Sequence, residues 1–211
     1  MKNKSVFICD SGFVDVIMPT NVSFKNNQIC IHPASQGVMG FAIPAILGVK
    51  TNIINNRDII AVVGDGSLMM NLQELQTIKY QRTNVKIFVI NNNMYGIIRR
   101  RQNHLFRGRT VGTDQTNGVP NINIKKIANC FGFKYFKVSS LKNFNENIRK
   151  IINLKGQIIC EIKGLNNQDY IEIGYAANTE GRVIRRPLED QRPFLDRDIF
   201  KREMIIKPID L

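Results

Sequence analysis

The chain has 211 residues, 43% of them hydrophobic, and a formal net charge of +13. A chain of that length forms one large or two small domains and buries roughly 70% of its unfolded surface, while no apolar run approaches the ~18 residues of a membrane span, so a cytoplasmic protein without a membrane partner is expected. The charge favours anionic company, whether nucleic acid, membrane headgroups or phosphorylated small molecules, without choosing among them; the abundant Lys, Asn and Ile match the codon bias of an AT-rich genome, which discounts it, and no recognition motif argues for nucleic acid.

The N-terminal Met1-Lys2-Asn3-Lys4-Ser5 leads into a strand-like run that Asp10 and Gly12 interrupt, unlike a secretory signal. In chain order, β-branched and apolar runs predict strands at 6–9, 59–63, 85–90, 134–138 and 157–162. Helical patterns lie between them at 40–50, 68–82, 122–131 and 141–154. In the second of these, Leu68, Leu72, Leu75 and Ile78 are spaced for one face. Alternating strand and helix predicts an α/β domain over 1–163, doubly wound, with a mostly parallel sheet and helices on both faces. The segment 164–211 is mixed in charge and carries Pro187, Pro193 and Pro208. It reads as an extended arm packing on the domain or on a partner, with one short helix near 196–204.

Cys9, Cys30, Cys130 and Cys160 stand singly, without the paired spacing of a zinc or iron–sulfur site, and are expected to be buried, reduced thiols. His32 and His104 are the only histidines, which leaves zinc chemistry improbable.

The sharpest local feature is Gly64-Asp65-Gly66-Ser67, directly after the 59–63 strand. In a parallel sheet, ligands collect at the carboxyl ends of the strands. Glycines permit close backbone approach, Ser67 is the expected N-cap, and the helix behind it favours an anion. Asp65 would repel a bare diphosphate, so a bridging cation is implied; Mg²⁺ takes one or two protein oxygens plus phosphate oxygens. A helix of ~15 residues runs ~22 Å back and a strand of ~6 residues returns ~20 Å. Asn91-Asn92-Asn93 therefore reaches the same edge as Asp65, and Asn92 can share its metal.

A Gly-Asp-Gly turn followed, after helix and strand, by Asn-Asn resembles the cofactor signature of thiamine-diphosphate enzymes. The stretch from Val62 to Gln102 is similar to acetolactate synthases almost throughout, Gly37 to Ala45 resembles the stretch that contacts the aminopyrimidine, and the run from Arg185 to Arg197 resembles the tail of acetolactate-synthase-like proteins of polysaccharide loci. The resemblance implies thiamine diphosphate and Mg²⁺, with Asp65, Asn92 and the Met94 carbonyl as metal ligands. It implies that Gly66 and Ser67, with Gly64 before them, hold the diphosphate, that Gly12 belongs to an early diphosphate loop, that the Gly37 carbonyl accepts the 4′-amino proton, and that Met39 is the wedge bending the cofactor. Tyr95 and Gly96 follow the metal loop and complete the implied cofactor-binding set, with Tyr95 open to being a packing residue or a substrate contact. The implied activity is acetolactate synthase-like decarboxylation and carboligation of a 2-oxo acid.

Two departures accompany the resemblance. Phe13-Val14 stands where acetolactate synthases usually have Gln-His after the loop glycine, which implies either a weaker grip on the diphosphate or contacts supplied by Asn21 or an arginine from elsewhere. Family members of full length also carry an N-terminal pyrimidine-binding domain with the activating glutamate. That residue is expected from a partner chain, in a homo- or hetero-oligomer, and neither Glu74 nor Glu161 replaces it, so no catalytic residue is assigned here. Rival readings are a two-chain 2-oxo-acid decarboxylase, a 2-oxo-acid:ferredoxin oxidoreductase β subunit, and a truncated, non-catalytic remnant.

Arg99, Arg100, Arg101, Arg107 and Arg109, interleaved with His104 and Phe106, offer either anion capture or a solvated or subunit-contacting face. Arg182, Arg185, Arg186 and Arg192, mixed with Glu180, Glu189 and Asp190, read as an ion-paired docking arm.

Overall fold

A computed structural model describes residues 4–33, 35–52, 57–166, 175–177, 183–187, 189–191 and 193–208. The chain divides into two compact units, Met1–Asn166 and Asn167–Leu211.

In the first unit six strands, β1 (Ser5–Cys9), β2 (Ile29–Ile31), β3 (Asp58–Gly64), β4 (Val85–Asn91), β5 (Lys134–Val138) and β6 (Ile158–Lys163), form one sheet. Every pairing in it is parallel, and the order is β2-β1-β3-β4-β6-β5. Continuous apolar runs such as Ile59 to Val63 fit this sheet because strands covered on both faces bury both sets of side chains.

Helices cover each face. Val6, Ile8, Ala61, Val63, Ile87 and Val89 pack on one side in a core with Ala42, Ile43, Ile46 and Val49 of α2 (Ala42–Asn52), Leu75 and Ile78 of α4 (Glu74–Tyr80), and Ile124 and Ala128 of α6 (Ile124–Cys130). Phe7, Ile60, Phe88, Ile158 and Cys160 form the opposite core with Ile151 of α7 (Phe144–Asn153), joined by Met18 of α1 (Phe13–Asn21). This is the doubly wound architecture expected from the alternation of elements.

In this unit three elements lay outside the expectation, α1, β2 and α5 (Gly96–Leu105), as did the two short strands of the second unit. Another correction concerns 68–82, which is two helices, α3 (Asp65–Met70) and α4, separated at 71–73. Turn-type bonds from Glu74 N to Asn71 O and from Leu75 N to Leu72 O make the joint, and Asn71 Nδ2 donates to Gly40 O at 3.0 Å. The apolar spacing survives because the break leaves Leu68, Leu75 and Ile78 buried in the same core.

In the second unit, β7 (Tyr175–Ala177) and β8 (Val183–Arg185) pair antiparallel. Asp190 accepts from Arg186 and takes both carboxylate oxygens to Arg197 Nη1 at 2.9 Å. Arg197 opens α8 (Arg197–Glu203) and lies over the rings of Phe194 and Phe200, at 5.4 and 5.0 Å. Asp196 caps that helix through the N–H groups of Asp198 and Ile199. The expected ion pairing is thus present at Arg186 and Asp190; Glu180, Arg182 and Arg192 lie outside the described residues, as does the side chain of Arg185.

No helix among the described residues is long and apolar enough to cross a membrane. The four cysteines are free, but burial holds only for Cys9 and Cys160; Cys30 is half-buried and Cys130 is exposed on the last turn of α6.

Candidate functional site

The chain leaves β1 toward β2 on one side and toward β3 and β4 on the other, so the carboxyl ends of β1 and β3 flank the switch point where ligands settle in such sheets. Cys9 pairs with Val62, and Gly64 with Ile90, which brings the residues after β1, β3 and β4 to one edge.

Asp65 follows β3 and is 5% exposed. Its Oδ1 accepts from Gly66 N at 2.9 Å and its Oδ2 from Asn93 N at 2.8 Å. Burial pushes its carboxyl above the usual carboxylate range, against the backbone N–H groups that favour the charged form. A buried acid directed at a loop rather than at a side-chain cation fits a bound cation. Asp65 is also the first residue of α3, with Gly64 as N-cap and no side-chain cap, which corrects the expectation for Ser67. Ser67 lies inside the helix, 4% exposed.

The loop carrying Asn92 and Met94 comes off β4. Asn92 Oδ1 accepts from Met94 N at 3.3 Å, and Asn93 takes a left-handed φ of 56°. Such a conformation is tolerated by Asn, and the Asn93 N–H is shared between Asp65 Oδ2 and Asn91 Oδ1, the latter at 3.2 Å. A second segment braces the loop: Met94 bridges to Asp114, and Tyr95 N donates to Thr113 O at 2.8 Å. Arg99 of α5 pairs with Asp114 at 3.0 Å. The Thr116 hydroxyl and N–H, then Arg99, hold Asp114 below the usual carboxylate range despite its burial. Arg99 is thereby committed to the loop. The segment 113–117 carried no sequence signal beyond its turn-forming Thr, Asp and Asn.

The glycines divide into two groups. A side chain at Gly66 would meet the Tyr95 ring at 2.1 Å, and one at Gly96 would meet the Phe13 ring at 2.6 Å and Asn92 Nδ2 at 3.2 Å. These contacts join Phe13, the Gly-Asp-Gly turn and residues 92–96, and they assign Tyr95 a packing role over Gly66. By contrast a Cβ at Gly12, Gly37 or Gly64 meets nothing within 4 Å, and Gly12 and Gly37 have positive φ. Open space beside those backbones leaves room for a ligand, as it does beside other open glycines such as Gly108 and Gly156.

The segment carrying Gly37 and Met39 is anchored through Gly40. Asp10, fully buried after β1, accepts from Ser11 N, Gly40 N and Ala42 N at 2.9, 2.9 and 2.8 Å. It therefore caps α2 from outside the helix. Gly37 and Val38 are exposed and Met39 is half-buried. Asn21 turns its amide to Ile17 O of its own helix at 2.8 Å, so that group is already engaged. Among the described residues no group of three or more His, Cys, Asp or Glu is placed to hold a metal ion. The all-oxygen set of Asp65, Asn92 and the Met94 carbonyl suits a hard cation.

Comparison with known proteins agrees with this geometry. Residues 10–162 match the family described as "Thiamine pyrophosphate enzyme, C-terminal TPP binding domain". The chain is 35% identical over 126 residues to the acetolactate synthase large subunit of Cyanidium caldarium, covering 59% of this chain and 21% of that one. It is 32% identical over 139 residues to that of Porphyra purpurea, 66% and 23% of the two chains, and 27% identical over 192 residues to that of Haemophilus influenzae, 90% and 33%. The chain thus spans between a fifth and a third of the length of these relatives. By the match across most of its sheet, it belongs to the thiamine pyrophosphate enzymes, as their C-terminal TPP-binding domain.

Proposed function

We propose that this chain holds the diphosphate and Mg²⁺ of an enzyme that decarboxylates a 2-oxo acid and joins the product to an acceptor carbonyl, as an acetolactate synthase does. The observation that carries the reading is the 2.8 Å bond from Asn93 N to Asp65 Oδ2, which gathers the buried carboxylate and the loop bearing Asn92 and Met94 at the switch point. Asp65, Asn92 and the Met94 carbonyl would hold the metal. Gly12, Gly64, Gly66 and Ser67 would border the diphosphate, while Gly37 and Met39 would meet the aminopyrimidine, with Tyr95 and Gly96 closing the metal-loop side.

Bound thiamine diphosphate supplies the carbanion and the electron sink for loss of CO₂. The chain's own residues orient it: Asp10 fixes Gly40 and hence the segment carrying Met39, and the Tyr95 ring keeps the Gly66 turn in place. The activating glutamate is assigned to a pyrimidine-binding domain outside these 211 residues. Glu161 is unsuited to that part because Tyr135, Asn91 and Lys137 already engage its carboxylate. Val38, Met69, Met70, Ile97 and Ile98 are all at least 40% exposed, and α5 has no buried residue. Exposed apolar groups around the proposed site suit an apolar partner surface.

Native mass measurement of the chain isolated from its own cells, with Mg²⁺ and thiamine diphosphate present, tests the reading. Recovery with a second chain bearing a pyrimidine-type domain, and 2-oxo-acid turnover by the pair, is expected. Recovery only as its own oligomer without bound cofactor would favour a non-catalytic remnant.

A further inference from the structure

Asn91, Asn93, Tyr135, Lys137 and Glu161 line a cleft of about 650 Å³ over the carboxyl ends of β4, β6 and β5. Glu161 pairs in register with Val89 on one side and Lys137 on the other, so Tyr135, Lys137, Glu161 and Asn91 all project from one face of the sheet.

Glu161 is 6% exposed. One carboxylate oxygen accepts from Asn91 Nδ2 at 3.0 Å and lies 3.5 Å from Lys137 Nζ; the other accepts from the Tyr135 hydroxyl. A buried carboxylate needs such partners to remain charged. The consequence reaches beyond the pair. Because Glu161 takes the Asn91 amide nitrogen, Asn91 Oδ1 is turned away from it and accepts from Asn93 N, the same N–H that donates to Asp65 Oδ2. Asn91 is also tied at the backbone, where its carbonyl accepts from Gly164 N at 2.9 Å.

We infer that Glu161 is a positioning residue for the metal loop: through Asn91 it fixes the left-handed Asn93 peptide, and with it the placement of Asn92 and Met94 against Asp65. The inference rests on the metal-site reading for its functional consequence, whereas the mechanical coupling is a property of the chain alone. Reversal of the Asn91 amide would set its nitrogen against the Asn93 N–H. Glu161, as an acceptor-only group, enforces the working orientation. Tyr135 holds the carboxylate from the far side.

Amide hydrogen exchange of the full chain without metal tests the coupling, since local opening is read residue by residue. Glu161→Leu removes the acceptor at similar volume, and the Asn93 N–H should exchange about tenfold faster or more, while amides of Phe7 and Ile8 in β1 keep their rates. Glu161→Gln, which can still accept from Asn91, should restore slow exchange at Asn93. Asn91→Ala leaves Glu161 in place and should reproduce the fast exchange, which keeps the inference open to refutation even if Glu161→Leu fails to fold. Unchanged Asn93 exchange in Asn91→Ala, or acceleration spread equally over β1, would overturn the inference. A parallel titration of the wild-type chain's complex with Mg²⁺ and thiamine diphosphate separates the two ideas. Absence of Mg²⁺-dependent binding there would remove the metal reading and leave the exchange result standing.

Discussion

The carboxylate of Asp10 accepts the backbone N–H of Gly40, thirty residues away, at 2.9 Å, while its other oxygen accepts from Ala42 at the start of α2. One buried acid therefore terminates β1, caps a helix and fixes the segment that carries Gly37 and Met39. Asp10→Ala leaves three buried N–H groups without their acceptor and is expected to cost about 2–4 kcal/mol of stability. Denaturant unfolding measures this; a change below about 0.5 kcal/mol, typical of a neutral surface substitution, would show that the clamp is dispensable.

Gly66 and Tyr95 are coupled sterically, because a Cβ at Gly66 would lie 2.1 Å from Tyr95 Cε1. Gly66→Ala should destabilise the chain by about 1–3 kcal/mol. The same substitution in a Tyr95→Ala background should cost much less, so a double-mutant cycle is expected to give a clear interaction energy. Additive effects would mean that the ring moves aside freely.

The cysteines should differ in reactivity. Cys9 and Cys160 are fully buried; burial, followed by the Glu161 charge, pushes the Cys160 thiol up to about 12, and burial likewise raises Cys9. Since the thiolate is the reactive form, maleimide labelling of the native chain is predicted at the exposed Cys130 and not at Cys9 or Cys160. Rapid labelling of Cys160 without unfolding would contradict the packing of β6.

Acid sensitivity should carry a contribution from Glu161. Burial opposes its charge, but the Tyr135 hydroxyl, the Asn91 amide and Lys137 outweigh burial and hold it below the usual carboxylate range. A depressed carboxyl contributes stability that is complete above its unfolded-state value and is lost as pH falls through the folded value. Glu161→Gln is therefore expected to unfold with a shallower pH dependence on the acid side. Identical acid limbs for both proteins would show that this carboxyl does not change its proton affinity on folding.

The sheet was legible because its central strands are buried on both faces and read as unbroken apolar runs, as at Ile59 to Val63. Helix α1 was not, since Pro19 lies within it and no side chain caps it, and β2 has only three half-buried residues. Arginine-rich α5 has no buried face and hence no apolar period to detect. The helix over 68–82 was overextended because Leu72 continues the apolar spacing through the turn at 71–73, where only the backbone reveals the break.

At the site, the Gly-Asp-Gly turn and the Asn run were readable together because parallel β3 and β4 end at one edge, although the helical stretch between them is two helices rather than one. The roles of Asp10, Asn91 and Glu161 were not legible for a different reason. Each lies at or near the end of a strand, and its partners, Gly40, Asn93 and Tyr135, come from other elements or from the turn beyond. Their roles depend on tertiary hydrogen bonds, to which local periodicity is blind. Phe13 stood out as a departure from the family pattern, and its ring packs against Gly96 beside Asn92.

The central claim is that Asp65 holds Mg²⁺, and through it the diphosphate. The most direct measurement is a calorimetric titration of thiamine diphosphate into the complex isolated from its own cells, in Mg²⁺ and in a chelator, for wild type and for Asp65→Ala. Binding by wild type that needs Mg²⁺, and its loss in a variant that still folds, is the predicted result. Equal affinity for wild type and variant, or binding that persists in the chelator, would contradict the account.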